Sequence, residues 1–314
     1  MADIFEEVKG AGKIAISGHI KPDGDCIGSC LGLYCYLKKR MPEAVIKIYL
    51  EKPDYCFRNV PKIDCIEEQV DETEVFDVFI ALDTIPERMG DAYLIYRNAH
   101  KTINVDHHIS NAAGCGMVNF VNPDASATAE VVYDLMNKTY VDKDIATLLY
   151  MGIAHDTGVF RFSNTSSKTL HAVADMVSYG FDFSTLIDET YYEKTYTQNM
   201  VQGQVVLDSK LLLDGKVIVG AADRELMKQF GAGKADFEGV VNQLLLTEGV
   251  EVAVFMSERE PGQFKVSLRA STDLVDVSKV AVAFDGGGHV RAAGCTLEGD
   301  KHQVEDRIVR KIAE

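Results

Sequence analysis

The sequence predicts an α/β protein: an N-terminal doubly wound, mainly parallel sheet, joined by a helical linker to a smaller α+β domain. Three observations lead there. Short apolar runs at 13–18, 45–50, 75–82 and 102–105 alternate with helical patterns, as buried strands in βαβ units do. From Phe183 to about Ser209 the chain is polar, with no Pro and only Gly203 as glycine, which predicts one long solvated helix between domains. Beyond it, LLLDGKVIVGAAD, GVEVAVFMSE and QFKVSLRA have β character, accompanied by helical stretches at 236–247 and 301–313. A length of 314 residues fits about two domains. The predicted division is 1–188, a linker at 189–208, and 209–314.

Four helices are predicted in the first domain. Cys26–Arg40 carries small Gly28, Ser29 and Gly32 where close packing would need them, and Ser126–Lys138, Lys143–His155 and Ser167–Tyr179 follow. The seven cysteines are scattered and contain no C-x-x-C pair, a pattern of reduced thiols rather than a disulfide framework. Cys26, Cys30 and Cys35 stand at near-helical spacing and are expected to be small apolar helix residues. No run approaches the 18 apolar residues of a membrane span, so a cytoplasmic protein without membrane partners is expected.

Charge narrows the function. Lys and Arg total 32 against 48 Asp and Glu, a formal net charge of -16. Holding long nucleic acid requires a basic face, because counterion release drives that binding. A long nucleic-acid track is therefore not expected, whereas a small anion held by metal ions or a few Arg and His residues is compatible with this balance.

The chemistry concentrates in four motifs. Strand 13–18 runs into His19-Ile20-Lys21-Pro22-Asp23-Gly24-Asp25, strand 75–82 into Asp83-Thr84, and strand 102–105 into Asp106-His107-His108, while the helix over Ile145–Ala154 ends in His155-Asp156-Thr157-Gly158. Singly, each has an ordinary explanation. Asp23-Gly24-Asp25 resembles a turn, Asp83 a helix cap, and the histidine pair two hydrogen-bonded imidazoles. Three of the four, however, follow carboxyl ends of strands in one parallel sheet, where open α/β sheets build ligand sites. His19, Asp23, Asp25, Asp83, His107 and Asp156 then offer four carboxylates and two imidazoles. Close carboxylates repel and take up protons unless cations neutralise them. Mixed oxygen and nitrogen donors without thiolate suit Mn²⁺, with Mg²⁺, Fe²⁺ or Co²⁺ as alternatives. Two such ions sharing one carboxylate stand about 3.5–4 Å apart, the arrangement of two-metal phosphoester hydrolysis. Asp106 and His108 are left to orient His107 or to touch substrate.

A second signal lies in Phe284-Asp285-Gly286-Gly287-Gly288-His289. Three consecutive glycines are not expected to form a strand or helix, but they let backbone N–H groups approach an anion. Arg269, at the end of the strand before it, can add a phosphate clamp. Phe160 and Phe162 could stack a base, although alternating aromatics more often pack a core.

GHIKPDGDCIGS, ALDT, NVDHHISN and GIAHDTG together resemble the four signature motifs of the DHH phosphoesterases, and KVSLRAS with GGGHVRAAG resembles their associated C-terminal domain. Length and motif wording are most similar to the bacterial nanoRNases, which act on short oligoribonucleotides and on 3′-phosphoadenosine-5′-phosphate (pAp). The resemblance implies one metal on His19, Asp23 and Asp83 and a second on Asp25, Asp83, His107 and Asp156, with Asp83 bridging. It implies that His108 helps position the phosphate or the attacking water. Arg269, Ser271, Gly286, Gly287, Gly288 and His289 would bind substrate. The chain departs from the pattern at Asp285, where many relatives have a fourth glycine, and at Ala270, where they often have Ser. The implied activity is hydrolysis of about two to five nucleotides to mononucleotides and of pAp to AMP; a homodimer is a further expectation. The alternatives are a cyclic-dinucleotide or pApA phosphodiesterase, and a non-catalytic nucleotide sensor.

Overall fold

Apolar runs become strands where both faces of a sheet are covered, and this governs the first half of the chain. The computed structural model describes residues 3–314 and divides into two units, one ending at Glu193 and one running from Lys194 to Glu314. In the first unit, β1 (Lys13–Ser17), β2 (Val45–Tyr49), β3 (Ile66–Glu67), β4 (Val78–Leu82), β5 (Lys101–Asp106) and β6 (Val118–Val121) form one sheet in the order β3-β2-β1-β4-β5-β6. All its neighbouring pairs are parallel. Its helices are α1 (Ile4–Val8), α2 (Gly24–Arg40), α3 (Ala92–Tyr96), α4 (Thr128–Asp134), α5 (Lys143–Asp156), α6 (Ser167–Val177) and α7 (Phe183–Ile187). Ile14, Ile16, Ile80 and Val105 on one face share a core with Leu31 of α2 and Leu149 of α5. On the other face Ala15, Phe79 and Ala81 pack with Ile95 of α3. The expected doubly wound sheet is present, and its order reverses between β1 and β4.

Local chemistry places the helix ends at the carboxyl edge. Asp23 is the N-cap of α2, its carboxylate accepting from the N–H groups of Asp25 and Cys26, and Lys38, Lys39 and Arg40 fill the last turn, complementing the dipole. Antiparallel α2 and α5 then cross backbone to backbone. A Cβ on Gly28 would collide with the Leu148 carbonyl and stand 3.0 Å from the Gly152 nitrogen, and one on Gly32 would meet the Leu149 side chain. Cys26, Cys30 and Cys35 lie buried in the same helix as apolar residues of the core.

The long helix expected over 183–209 is not one helix. α7 passes into a π-helical turn at Asp188–Tyr192, and Glu193 is extended. Thr195 caps a new helix, α8 (Tyr196–Leu207), through a reciprocal box with Gln198. That Thr-x-x-Gln spacing is a start signal, and it interrupts the helical pattern. Nor is α8 a solvated bridge, because Val201 and Val205 are fully buried against Ile218, Leu244 and Phe255 of the second unit.

The second unit continues through β7 (Lys210–Leu212), β8 (Val217–Ala222), α9 (Arg224–Phe230), α10 (Val240–Leu245), β9 (Val252–Glu260), β10 (Gln263–Ala270), α11 (Val277–Val282), β11 (Gly287–His289), β12 (Ala292–Glu298) and α12 (Lys301–Ala313). Its sheet order is β11-β12-β10-β9-β8-β7, with β8–β9 the parallel pair. Val254, Val266 and Leu268 pack one face with Val280 of α11 and Ile308 of α12. The expectation that the glycine run forms no regular element is corrected here, since Gly287–His289 pair with Ala292–Gly294. A neighbouring strand supplies the partner that glycine's own propensity lacks. A Cβ on Gly286 would strike the Gly294 carbonyl, and one on Gly288 the Ala292 carbonyl, whereas nothing lies within 4 Å of one on Gly287.

Asp285 also has a structural reason. Its φ is +56°; its N–H donates to Val282 O at 3.1 Å, and the Gly286 N–H to Ala281 O at 2.9 Å. This is the Schellman closure of α11 with Asp285 at the left-handed position, which glycine ordinarily occupies. Asp285→Gly should therefore stabilise the chain in urea unfolding by about 1 kcal/mol. Gly28→Ala should destabilise it by about 1–3 kcal/mol, because two backbones would have to separate. A loss from the first or a gain from the second would contradict these assignments.

Candidate functional site

The site is built where β1, β4 and β5 end. Asp83 directly follows β4 and holds φ +57°, a left-handed backbone that Asp tolerates better than most residues. Its N–H continues the parallel ladder to Val105 O at 3.0 Å, so the carboxylate emerges at the sheet edge. Asp83 Oδ2 lies 3.4 Å from His19 Nε2, while Oδ1 lies 3.4 Å from His108 Nδ1 and 3.8 Å from His107 Nε2. The two oxygens of one buried carboxylate thus face different partners. Around them, donor atoms of His19, Asp23 and Asp83 gather into one cluster that could hold a metal, those of Asp25, His107 and Asp156 into another, and those of Asp83, His107 and His108 into a third.

The imidazoles are aimed by backbone carbonyls. His19 Nδ1 donates to Ile20 O at 2.8 Å and His107 Nδ1 to Ala125 O at 3.3 Å. A carbonyl only accepts, so in each ring Nδ1 carries the proton and Nε2 is presented as a ligand atom. His19 Nε2 faces Asp23 Oδ2 at 3.6 Å as well as Asp83, and His107 Nε2 faces Asp156 Oδ2 at 3.1 Å. A lone pair directed at carboxylates calls for a positive charge between them.

Ionisation tells the same story. Burial opposes a charged His19, yet the carboxylates of Asp23 and Asp83 outweigh it and push the imidazole up to about 11. Burial, followed by the charges of Asp83, Asp156 and Asp23, raises Asp25 well above the usual carboxylate range. Asp156 is pushed up to about 6, chiefly by burial. Protein atoms alone leave this edge short of positive charge, and the donor set fits divalent cations that prefer oxygen and imidazole ligands.

Asp106 has a different task. Its Oδ1 accepts from the N–H groups of His107 (2.7 Å) and His108 (2.9 Å) and from His108 Nδ1 (2.8 Å), and its Oδ2 from Asn111 Nδ2 (2.6 Å). Although buried, it is held below its ordinary range by His108 and Asn111. Asp106 therefore orients His108, directing the remaining ring nitrogen, Nε2, away from it. Thr128 and Asn111 belong to the site but carried no sequence signal. Thr128 Oγ1 donates to Asp83 Oδ1 at 2.9 Å, and the N–H groups of Thr128 and Ala129 donate to Asp25 at 2.7 and 2.9 Å. Of the two aromatics beyond Asp156, Phe160 packs on the core and Phe162 is exposed.

In the second unit, Ala292 pairs with both Arg269 and His289. Cross-strand partners share a sheet face, so these two lie in one row, opposite the face that buries Leu268. The Arg269 guanidinium donates to Leu268 O at 3.0 Å, and burial lowers its pKa. Ser271 does not join the row: its hydroxyl is engaged by the carbonyls of Glu251 (3.3 Å) and Val250 (3.4 Å).

Comparison with known proteins agrees on both units. Residues 13–153 match the DHH family N-terminal domain and residues 214–314 the DHHA1 domain. The chain is 34% identical to the bifunctional oligoribonuclease and PAP phosphatase NrnA of Thermus thermophilus, over 100% of this chain and 93% of that one. It is 28% identical to the Bacillus subtilis protein of the same name, over 90% and 89%. A crystal structure of an exopolyphosphatase-related protein from Bacteroides fragilis has the same fold, with a TM-score of 0.89 at 23% identity, covering 99% of this chain and 94% of that one.

Replacing Asp83 by Asn keeps the left-handed backbone accessible and removes the charge that two clusters share. Mn²⁺ uptake measured by calorimetry should weaken by at least ~10-fold with an unchanged circular dichroism spectrum. A wild-type isotherm would remove Asp83 from the metal site.

Proposed function

Because this chain belongs to the DHH family, we propose that it is a metal-dependent phosphoesterase that hydrolyses oligoribonucleotides of about two to five residues to mononucleotides and pAp to AMP. The observation that carries the reading is the pair of Nε2 atoms, on His19 and His107, fixed by backbone carbonyls to face carboxylates at the carboxyl edge of a parallel sheet. His19, Asp23 and Asp83 would hold one cation, and Asp25, Asp83, His107 and Asp156 a second, with Mn²⁺ the best match to the donors. When bound, divalent ions stabilise the charge that develops on phosphoryl oxygens and favour deprotonation of water.

The chain's own residues supply the rest. Asp106 keeps His108 Nδ1 protonated and the ring oriented, so that Nε2 meets the phosphate or the incoming water. Arg269 and His289 bind the terminal phosphate through charge-assisted hydrogen bonds. Arg269 suits the task because its half-buried guanidinium has been partly desolvated in advance. Gly287, with open space where a Cβ would stand, lets a ligand approach its backbone. A short substrate needs no basic track, which reconciles the activity with a net charge of -16.

The test is hydrolysis by metal-stripped protein with Mn²⁺ restored, on pApA, a pentaribonucleotide, pAp, cyclic di-AMP and pyrophosphate in parallel. Mononucleotides from the RNAs and phosphate from pAp are the expected products. Turnover confined to cyclic di-AMP or pyrophosphate would refute the substrate assignment, and nucleotide binding without turnover would refute the enzyme.

A further inference from the structure

We propose that residues Ala125–Glu130 form a positioning clamp that holds the metal-binding side chains in register, with Thr128 as its central residue. The inference rests on the metal assignments above.

The geometry begins with a helix that lacks its own cap. α4 starts at Thr128 behind an extended Ala127, which has no side chain able to receive the first N–H groups. Those donors would be orphaned in a buried place. Asp25 fills the gap from another helix: its Oδ2 accepts the Thr128 N–H at 2.7 Å and its Oδ1 the Ala129 N–H at 2.9 Å. Both oxygens of Asp25 are thereby fixed in place. The same Thr128 turns its hydroxyl to Asp83 and donates to Oδ1 at 2.9 Å. That bond sets the rotation of the Asp83 carboxylate, keeping Oδ1 on the side of His107 and Oδ2 on the side of His19. Three residues earlier, Ala125 O accepts from His107 Nδ1.

One short segment therefore fixes Asp25, Asp83 and His107. A fourth group is tied to it through Asn164, whose Nδ2 donates to Ser126 O at 3.1 Å and to the Asp156 carbonyl at 3.2 Å. The segment itself is anchored by Glu130, only 1% exposed. Glu130 Oε2 accepts from the Ser126 N–H (3.1 Å) and the Thr169 hydroxyl (2.9 Å), and the Ser126 hydroxyl donates to Asn164 O at 2.7 Å. Burying a carboxylate is costly unless its bonds repay it, and here those bonds stiffen the segment that holds four ligands. Partners of ligating groups typically change metal affinity 10–100-fold when removed.

Thr128→Val and Thr128→Ser separate this role from packing, because Val keeps the shape and Ser keeps the hydroxyl. Mn²⁺ affinity is measured by calorimetry without substrate, alongside circular dichroism and steady-state kinetics on pApA. Thr128→Val should bind Mn²⁺ about 10-fold more weakly or worse, with kcat on pApA reduced at saturating Mn²⁺ and KM little changed. Thr128→Ser should stay within about 3-fold of wild type in Mn²⁺ affinity, well short of the 10-fold effect expected for a lost partner. Wild-type affinity in a folded Thr128→Val, or a Ser variant as impaired as Val, overturns the clamp. Should Thr128→Val fail to fold, exposed Asn164→Ala decides: weaker Mn²⁺ binding supports the clamp and unchanged binding refutes it. A wild-type chain that binds Mn²⁺ but hydrolyses none of the phosphoesters defeats the proposed reaction and leaves the affinity series intact. A wild-type chain that takes up no Mn²⁺ defeats both.

Discussion

Four carboxylates cannot crowd one sheet edge without a compensating positive charge, and that constraint organises the first unit. Asp25 and Asp83 are almost completely buried, with Asp23 and Asp156 close by. Like charges in a poorly solvated place drive each other towards protonation, as the upward displacement of Asp25 and Asp156 records. The fold keeps them ionisable by giving some of their lone pairs fixed donors and leaving others directed at the imidazoles. Asp106 shows the contrast. With similar burial but four hydrogen bonds received from His107, His108 and Asn111, it is satisfied by protein alone and serves to orient rather than to ligate.

Orientation comes mostly from the main chain. Carbonyls of Ile20 and Ala125 set the tautomers of His19 and His107, and N–H groups of α4 hold Asp25. Backbone partners move only when an element moves, so such a site is stiffer than one built from side chains alone. Left-handed backbone occurs here too. Asp83 takes φ +57°, and Gly158, Val159 and Phe160 make three consecutive left-handed residues just after Asp156. A β-branched residue in that conformation is strained, and it is held by bonds such as Val159 N–H to Ala154 O at 2.7 Å.

Much of this was legible in the sequence because the residues of the candidate metal site are chemically loud. His19, Asp23, Asp25, Asp83, His107 and Asp156 are polar groups placed after apolar runs, and the apolar runs predict the sheet that gathers them. The quieter parts were not legible. A hydroxyl such as Thr128 is as common on surfaces as in sites, and its importance depends on two helices meeting. The helix predicted from Ser126 begins instead at Thr128, and the donors at Thr128 and Ala129 are capped from Asp25, 103 and 104 residues away. The break at Glu193 was hidden by uniform polarity, although Thr195 and Gln198 spelled a capping box. The strand at Gly287–His289 was missed because its pairing depends on β12 and not on its own residues.

The crossing of α2 and α5 has a consequence for how the site tolerates change. Gly28 lets α2 lie directly on the backbone of α5 near Gly152; the near end of α2 carries Asp23 and Asp25, and the adjoining end of α5 carries Asp156. The separation of these carboxylates is thus gauged at Gly28 by two main chains in contact, with the His155 side chain against Gly24 and the Leu149 side chain against Gly32 to either side. Drift in the surrounding core can alter packing volume without altering that gauge. The spacing of the charged groups is inherited from the thickness of the peptide backbone for as long as position 28 carries no side chain.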